Sequence, residues 1–147
     1  MTTYLPIVAV RLVREGRLPT GQTALSRPSA ARDLLYTYLS DADREHFVVL
    51  LLNTKHKFIG VHTAHMGTLN SCPVAGRDMF KAAILANAAA IIVGHNHPSG
   101  DPTPSQDDIR LTRQLATSAE LLGINLLDHI IIGDDSAYVS LKEQGLF

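Results

Sequence analysis

Apolar residues follow two patterns along this chain: short unbroken runs, and steps of three or four. The runs occupy residues 45–53 (Glu-His-Phe-Val-Val-Leu-Leu-Leu-Asn), 90–93 (Ala-Ile-Ile-Val) and 125–132 (Asn-Leu-Leu-Asp-His-Ile-Ile-Ile). Runs this short, bounded by polar residues, predict strands buried on both faces. The first is expected to be central to a sheet, with a polar turn at 53–57 and an antiparallel partner at 58–66, and 138–140 predicts a last strand after a turn at 133–136. Helical steps appear in three places. Leu34, Leu35, Tyr38 and Leu39 follow Ser29 as N-cap, and Met79, Phe80, Ala83, Ile84 and Ala88 punctuate an alanine-rich 77–90. Ile109, Leu111, Leu115, Ala119 and Leu122 run from Ser105 to a stop at Gly123. Residues 4–14 are rich in β-branched and aliphatic types and predict a strand within an N-terminal arm (1–28), ahead of one domain over 29–147. Residues 67–76 read as irregular and 141–147 as a terminal helical turn.

A chain of 147 residues is enough for one domain with a proper core, and 46% hydrophobic against 18% charged residues excludes a disordered or fibrous class. Net charge is −1, so composition gives no general reason to expect nucleic acid as a partner. Arg11, Arg14, Arg17, Arg27 and Arg32 face only Glu15 over the first 32 residues, but they are spread out and read as a solvated surface. Cys72 is the single cysteine, which excludes an internal disulfide and points to a reducing compartment, the cytoplasm. No apolar run approaches the ~18–20 residues of a membrane span, and no secretory leader is expected.

The candidate chemistry lies in residues 93–108, Val-Gly-His-Asn-His-Pro-Ser-Gly-Asp-Pro-Thr-Pro-Ser-Gln-Asp-Asp. Side chains two apart on a strand share a face, so His95 and His97 can converge on one point while Asn96 faces elsewhere. Pro98, Gly100, Pro102 and Pro104 can fold the loop back to bring in Asp108. Two neutral imidazoles and one carboxylate leave a tetrahedral position open to water, the pattern of catalytic rather than structural zinc. A lone His-x-His is weak, and Ser105-x-x-Asp108 also reads as a helix capping box. Capping leaves the histidines and the proline-rich loop without a reason; a metal site explains all of them. Hydrolysis further needs a base, and of the four glutamates (Glu15, Glu45, Glu120, Glu143) only Glu45 opens a buried strand. An ordinary charged strand edge explains Glu45 equally well at this level.

These residues resemble the RadC family of JAB/MPN+ (JAMM) domain proteins, whose signature is an upstream Glu followed by His-x-His, seven residues, Ser, two residues and Asp. His95, His97, Ser105 and Asp108 fit that spacing and Glu45 matches the upstream acid. The run from His95 to Asp101, the segment 67–70 (Gly-Thr-Leu-Asn) and residues 127–130 (Leu-Asp-His-Ile) are also RadC-like. The resemblance implies an α/β fold with a mixed sheet flanked by helices, the JAB/MPN or cytidine-deaminase-like fold. It implies Zn2+ held by His95, His97 and Asp108, water activation by Glu45, an oxyanion steadied by Ser105, and amide or isopeptide hydrolysis of a peptide or protein substrate. The alternative is a non-catalytic metal-binding interaction module associated with DNA repair or maintenance. Two departures stand out: residues 74–78 read Val-Ala-Gly-Arg-Asp where the family usually has Val-His-Pro-Arg-Glu, and the family's helix-hairpin-helix segment is expected to be missing ahead of residue 29.

Five other residues take plainer readings. His129 reads as a satisfied core histidine, and Cys72 as a small buried hydrophobe. His62 and His65, three apart on a strand, are expected on opposite faces. Asp101 is expected to bond its own loop backbone.

Overall fold

The structure is a computed structural model that describes residues 1–21, 23–67 and 76–147. Its elements run α1 (Pro28–Leu39), β1 (His46–Leu52), β2 (Phe58–Met66), α2 (Gly76–Leu85), β3 (Ala90–Asn96), α3 (Gln106–Leu122), β4 (Asn125–Ile132) and β5 (Tyr138–Ser140). The five strands form one mixed sheet in the order β2-β1-β3-β4-β5. β1 pairs antiparallel with β2 and β3, β3 pairs parallel with β4, and β5 returns antiparallel. The middle strand is therefore β3, with β1 one place off centre.

The apolar runs of β1 and β3 and the second half of β4 are buried on both faces because helices cover both. Val48, Leu50, Leu52, Ala90, Ile92, Ile130 and Ile132 pack under α1 with Ala31, Leu34, Leu35 and Leu39. Phe47, Val49, Leu51, Ile91 and Val93 pack on the other face against Met79, Phe80 and Ala83 of α2 and Leu115 and Ala119 of α3. The parallel step from β3 to β4 needs a crossover, and α3 supplies it.

At Gly94, α1 lies so close that a Cβ would meet both Cδ atoms of the fully buried Leu35 at 2.5 and 2.6 Å. Gly94→Ala is expected to destabilise the fold by about 1–3 kcal/mol through overpacking, read as a lower urea midpoint. An unchanged midpoint would mean that Leu35 shifts at no cost.

Several local expectations are corrected. Residues 4–14 form no strand; Tyr4, Ile7, Val8, Val10 and Val13 are exposed, since β-forming residues need a partner edge and this segment has none. Further along the arm, Leu18 packs against the core that lies under α1, and pairing with the sheet comes at Ala24, which bridges Lys57, and at Thr23, whose carbonyl accepts the Phe58 N–H. α1 starts at Pro28 with Arg27 as N-cap, not at Ser29, because proline suits the first helical position, where an N–H has no intrahelical partner. α2 stops at Leu85 rather than near Ala90; Asn87 turns left-handed (φ 52°) and the chain passes directly into β3. β3 extends through Asn96, beyond the expected Val93. The terminal turn expected at 141–147 is present over 141–145, with Gln144 N–H donating to the Ser140 carbonyl four residues back.

His62 and His65 do not face opposite sides. A bulge between the Phe47 and Val48 pairings places His65 opposite Phe47 and His62 opposite Val49, two residues of the same face. Most of the 67–76 segment, including Cys72, lies outside the described residues, as do residues 74 and 75 of the 74–78 departure, whereas Gly76, Arg77 and Asp78 open α2. No helix among the described residues is long and apolar enough to cross a membrane.

Candidate metal centre

The C-terminal end of β3 carries the cluster. His95 lies on β3, opposite Phe47 of β1 and Ile131 of β4, and its ring stacks on Phe47 at 4.3 Å between centroids, 14° from parallel. His97 follows immediately. Its N–H donates to the Ile132 carbonyl, so the chain keeps its β course for one more residue and both imidazoles stay on one side.

The loop then closes on itself and on the β4–β5 turn. Gly100 N–H donates to the His97 carbonyl, and Asp134 N–H donates to the Gly100 carbonyl. Asp101 accepts from the Thr103 N–H (3.0 Å) and hydroxyl (2.7 Å), the local bonding expected of it.

α3 delivers Asp108 from the other side. Ser105 is the N-cap, its Oγ accepting the Asp108 N–H at 3.0 Å, while Asp108 Oδ2 accepts the Ser105 N–H at 2.8 Å. The capping box and the cluster thus share one carboxylate. It is 1% exposed. The buried face of α3 is Asp108, Thr112, Leu115 and Ala119, whereas Leu121 and Leu122 face outward, so polar residues head a helix face that apolar periodicity alone placed elsewhere.

His95 Nε2 lies 3.0 Å from His97 Nε2 and 3.3 Å from Asp108 Oδ1, and His97 Nε2 lies 3.3 Å from Asp108 Oδ2. His97 Nδ1 sits 2.8 Å from the Asp101 carbonyl, which can only accept, so Nδ1 carries the proton and a neutral His97 turns a lone pair inward. Bonds of about 2.0–2.1 Å at tetrahedral angles set ligand atoms roughly 3.3 Å apart, so these separations suit one small divalent ion. Among the described residues, His95, His97 and Asp108 form the group that could hold a metal ion.

Electrostatics agree with that donor set. Burial opposes the charge on Asp108, yet the two imidazoles and the Ser105 N–H outweigh it and hold the carboxyl well below the usual carboxylate range. Burial lowers His95, while the contact with Asp108 raises His97 against the effect of its own burial.

Glu45 stands at the edge of this cluster. Its Oε1 is 3.9 Å from His95 Nε2, its side chain is 14% exposed, and burial raises its carboxyl above the ordinary value, with His97 pulling the other way. Asn96, between the two histidines, faces away from them as expected but does something unforeseen. Its Oδ1 accepts the His46 N–H (2.8 Å) and its Nδ2 donates to the Arg44 carbonyl (3.0 Å), gripping the backbone on both sides of Glu45. The alternation of His-Asn-His was the one available signal. Ser105 is placed as the cap and is exposed.

An α/β sheet with a His-His-Asp cluster at the end of its middle strand, a capping serine and an adjacent glutamate defines a JAB-type domain. The model of the RadC-like JAB domain matches residues 25–146, and the chain belongs to that family. It is 45% identical over 151 residues to a UPF0758 protein of Desulforamulus reducens, an alignment covering 96% of this chain and 65% of the relative. It is 52% identical to a UPF0758 protein of Staphylococcus haemolyticus (84% of this chain, 54% of the relative) and 49% identical to one of Desulforudis audaxviator (86% and 54%). The chain therefore spans about half to two-thirds of the length of the curated relatives it matches.

Proposed function

We propose that this domain is a zinc-dependent metallohydrolase, a metallopeptidase or isopeptidase that cleaves an amide bond in a peptide or protein substrate. The observation that carries this reading is the largely buried Glu45 carboxylate 3.9 Å from His95 Nε2, a base beside a three-ligand cluster. His95, His97 and Asp108 would hold the ion. Zinc, when bound, would supply Lewis acidity, lowering the pKa of water to about 7. Glu45 accepts the proton of the attacking water and passes it to the leaving amine, a role that a burial-raised carboxyl suits. Ser105 Oγ accepts the Asp108 N–H, so its own proton remains free to donate to the oxygen that gains charge. The single cysteine supports a reducing, cytoplasmic setting.

The test is elemental analysis of zinc-loaded protein followed by a peptide and isopeptide cleavage screen. About one zinc per chain and chelator-sensitive cleavage are expected, as three protein ligands imply. No retained zinc would overturn the metal reading. Retained zinc without cleavage would favour the non-catalytic module.

A further inference from the structure

Behind the cluster, away from solvent, three fully buried polar side chains stand in line. Thr112 of α3, His129 of β4 and His95 of β3 are each 0% exposed. Thr112 Oγ1 lies 2.6 Å from the Asp108 carbonyl and 2.5 Å from His129 Nδ1, and His129 Nε2 lies 2.8 Å from His95 Nδ1. His129 was expected to be a satisfied core histidine. It is one, and its satisfaction runs through His95.

We propose that Thr112 and His129 are positioning residues that set the tautomer of His95, keeping its Nε2 lone pair turned toward the cluster. The argument is a count of protons. Thr112 has one hydroxyl proton and two short contacts, one of them a carbonyl that can only accept. That proton must go to the carbonyl; otherwise two oxygens would face each other at 2.6 Å with lone pairs alone. His129 Nδ1 must then be the donor to Thr112 Oγ1. A neutral His129 is left with a bare Nε2, which accepts from His95 Nδ1–H, and a neutral His95 is left with a bare Nε2 facing His97 and Asp108.

Both histidines of the cluster therefore reach the same protonation pattern by different routes. His97, partly exposed, spends its Nδ1–H on the carbonyl of Asp101 in its own loop. His95 is enclosed in the core and spends its Nδ1–H on a line that ends at the Asp108 carbonyl. Asp108 anchors the line with its backbone and faces the cluster with its carboxylate, so α3 fixes both. In the opposite register His129 Nε2–H would donate to His95 Nδ1, and an N–H would occupy the point where the ligand atoms converge.

This inference rests on the metal reading only for its consequence; the tautomers are measurable without metal. Long-range 1H–15N correlation spectra of the 15N-labelled, metal-free chain are expected to show Nδ1–H at both His95 and His129. Thr112→Val keeps the shape but removes the acceptor, and is expected to move both protons to Nε2 and weaken zinc binding 10- to 100-fold in a competition titration with a chromophoric chelator. Thr112→Ser, which restores the hydroxyl, is expected to return both readouts to wild type. A His95 that lacks Nδ1–H in the wild-type spectrum overturns the proposal without recourse to any variant. Unchanged tautomers in Thr112→Val overturn it as well. Expected tautomers in a protein that binds no zinc would uphold this line and reject the metal reading alone.

Discussion

Glu45→Gln is expected to lower hydrolysis by about two to four orders of magnitude while leaving zinc content at the wild-type level. Glutamine has nearly the shape of glutamate but cannot take a proton at neutral pH, so the substitution removes basicity and little else. The ligand set is untouched, because Glu45 Oε1 stands 3.9 Å from His95 Nε2 and outside the group of three that could hold the ion. The backbone around residue 45 should hold as well. Asn96 grips the neighbouring Arg44 carbonyl and His46 N–H, and Gly67 N–H donates to the carbonyl of Glu45 itself (2.8 Å). Paired measurements of zinc per chain and turnover on the substrate found by screening decide the matter. Turnover equal to wild type with full zinc would remove Glu45 from the chemistry and leave it as the charged strand edge that its position beside Arg44 also suggests.

The second large effect concerns Asp108, whose carboxylate has two jobs that substitution can separate. Asp108→Asn keeps an oxygen to accept the Ser105 N–H but loses the charge that faces His95 and His97. It is expected to weaken zinc binding by at least about 100-fold, beyond the 10- to 100-fold typical of losing an outer-shell partner. Asp108→Ala loses the charge and also the reciprocal half of the capping box, the bond from the Ser105 N–H, while the Ser105 Oγ bond to the residue-108 N–H remains, adding about 1 kcal/mol of destabilisation that the asparagine variant avoids. Thermal unfolding in the presence of a chelator reads the cap; a zinc competition titration reads the ligand. Wild-type zinc affinity in Asp108→Asn would reduce Asp108 to a helix cap.

The parts of the fold legible in the sequence were those whose causes lie within a few residues. The run from Phe47 to Leu52 reads as a doubly buried strand because no polar residue interrupts it, and it is buried on both faces. Ser105 and Asp108 stand three apart because a capping box spans one turn, and the box is present. Strand alternation placed His95 and His97 together and Asn96 apart. Where the reading failed, a distant partner was responsible. Residues 4–14 have the composition of a strand but pair with neither edge of the sheet. The bulge that brings His62 and His65 to one face exists only in the pairing of β2 with β1. Thr112 passed unnoticed because a single threonine on a helix carries no periodic signal, and its meaning depends on His129, 17 residues away.

The sequence by itself determined the residue types of the cluster and their spacing, the capping box, the buried strands and, by resemblance, the family. Those features rest on alternation, helical pitch and short loops, all of which act over a few residues. Only the tertiary structure decided that Glu45 stands beside His95, that Asn96 grips the backbone around it, and that Thr112 and His129 stand behind it in line. Those meetings depend on sheet register and on how α3 seats against β4. Register and seating are set by the core as a whole, and no local pattern encodes them.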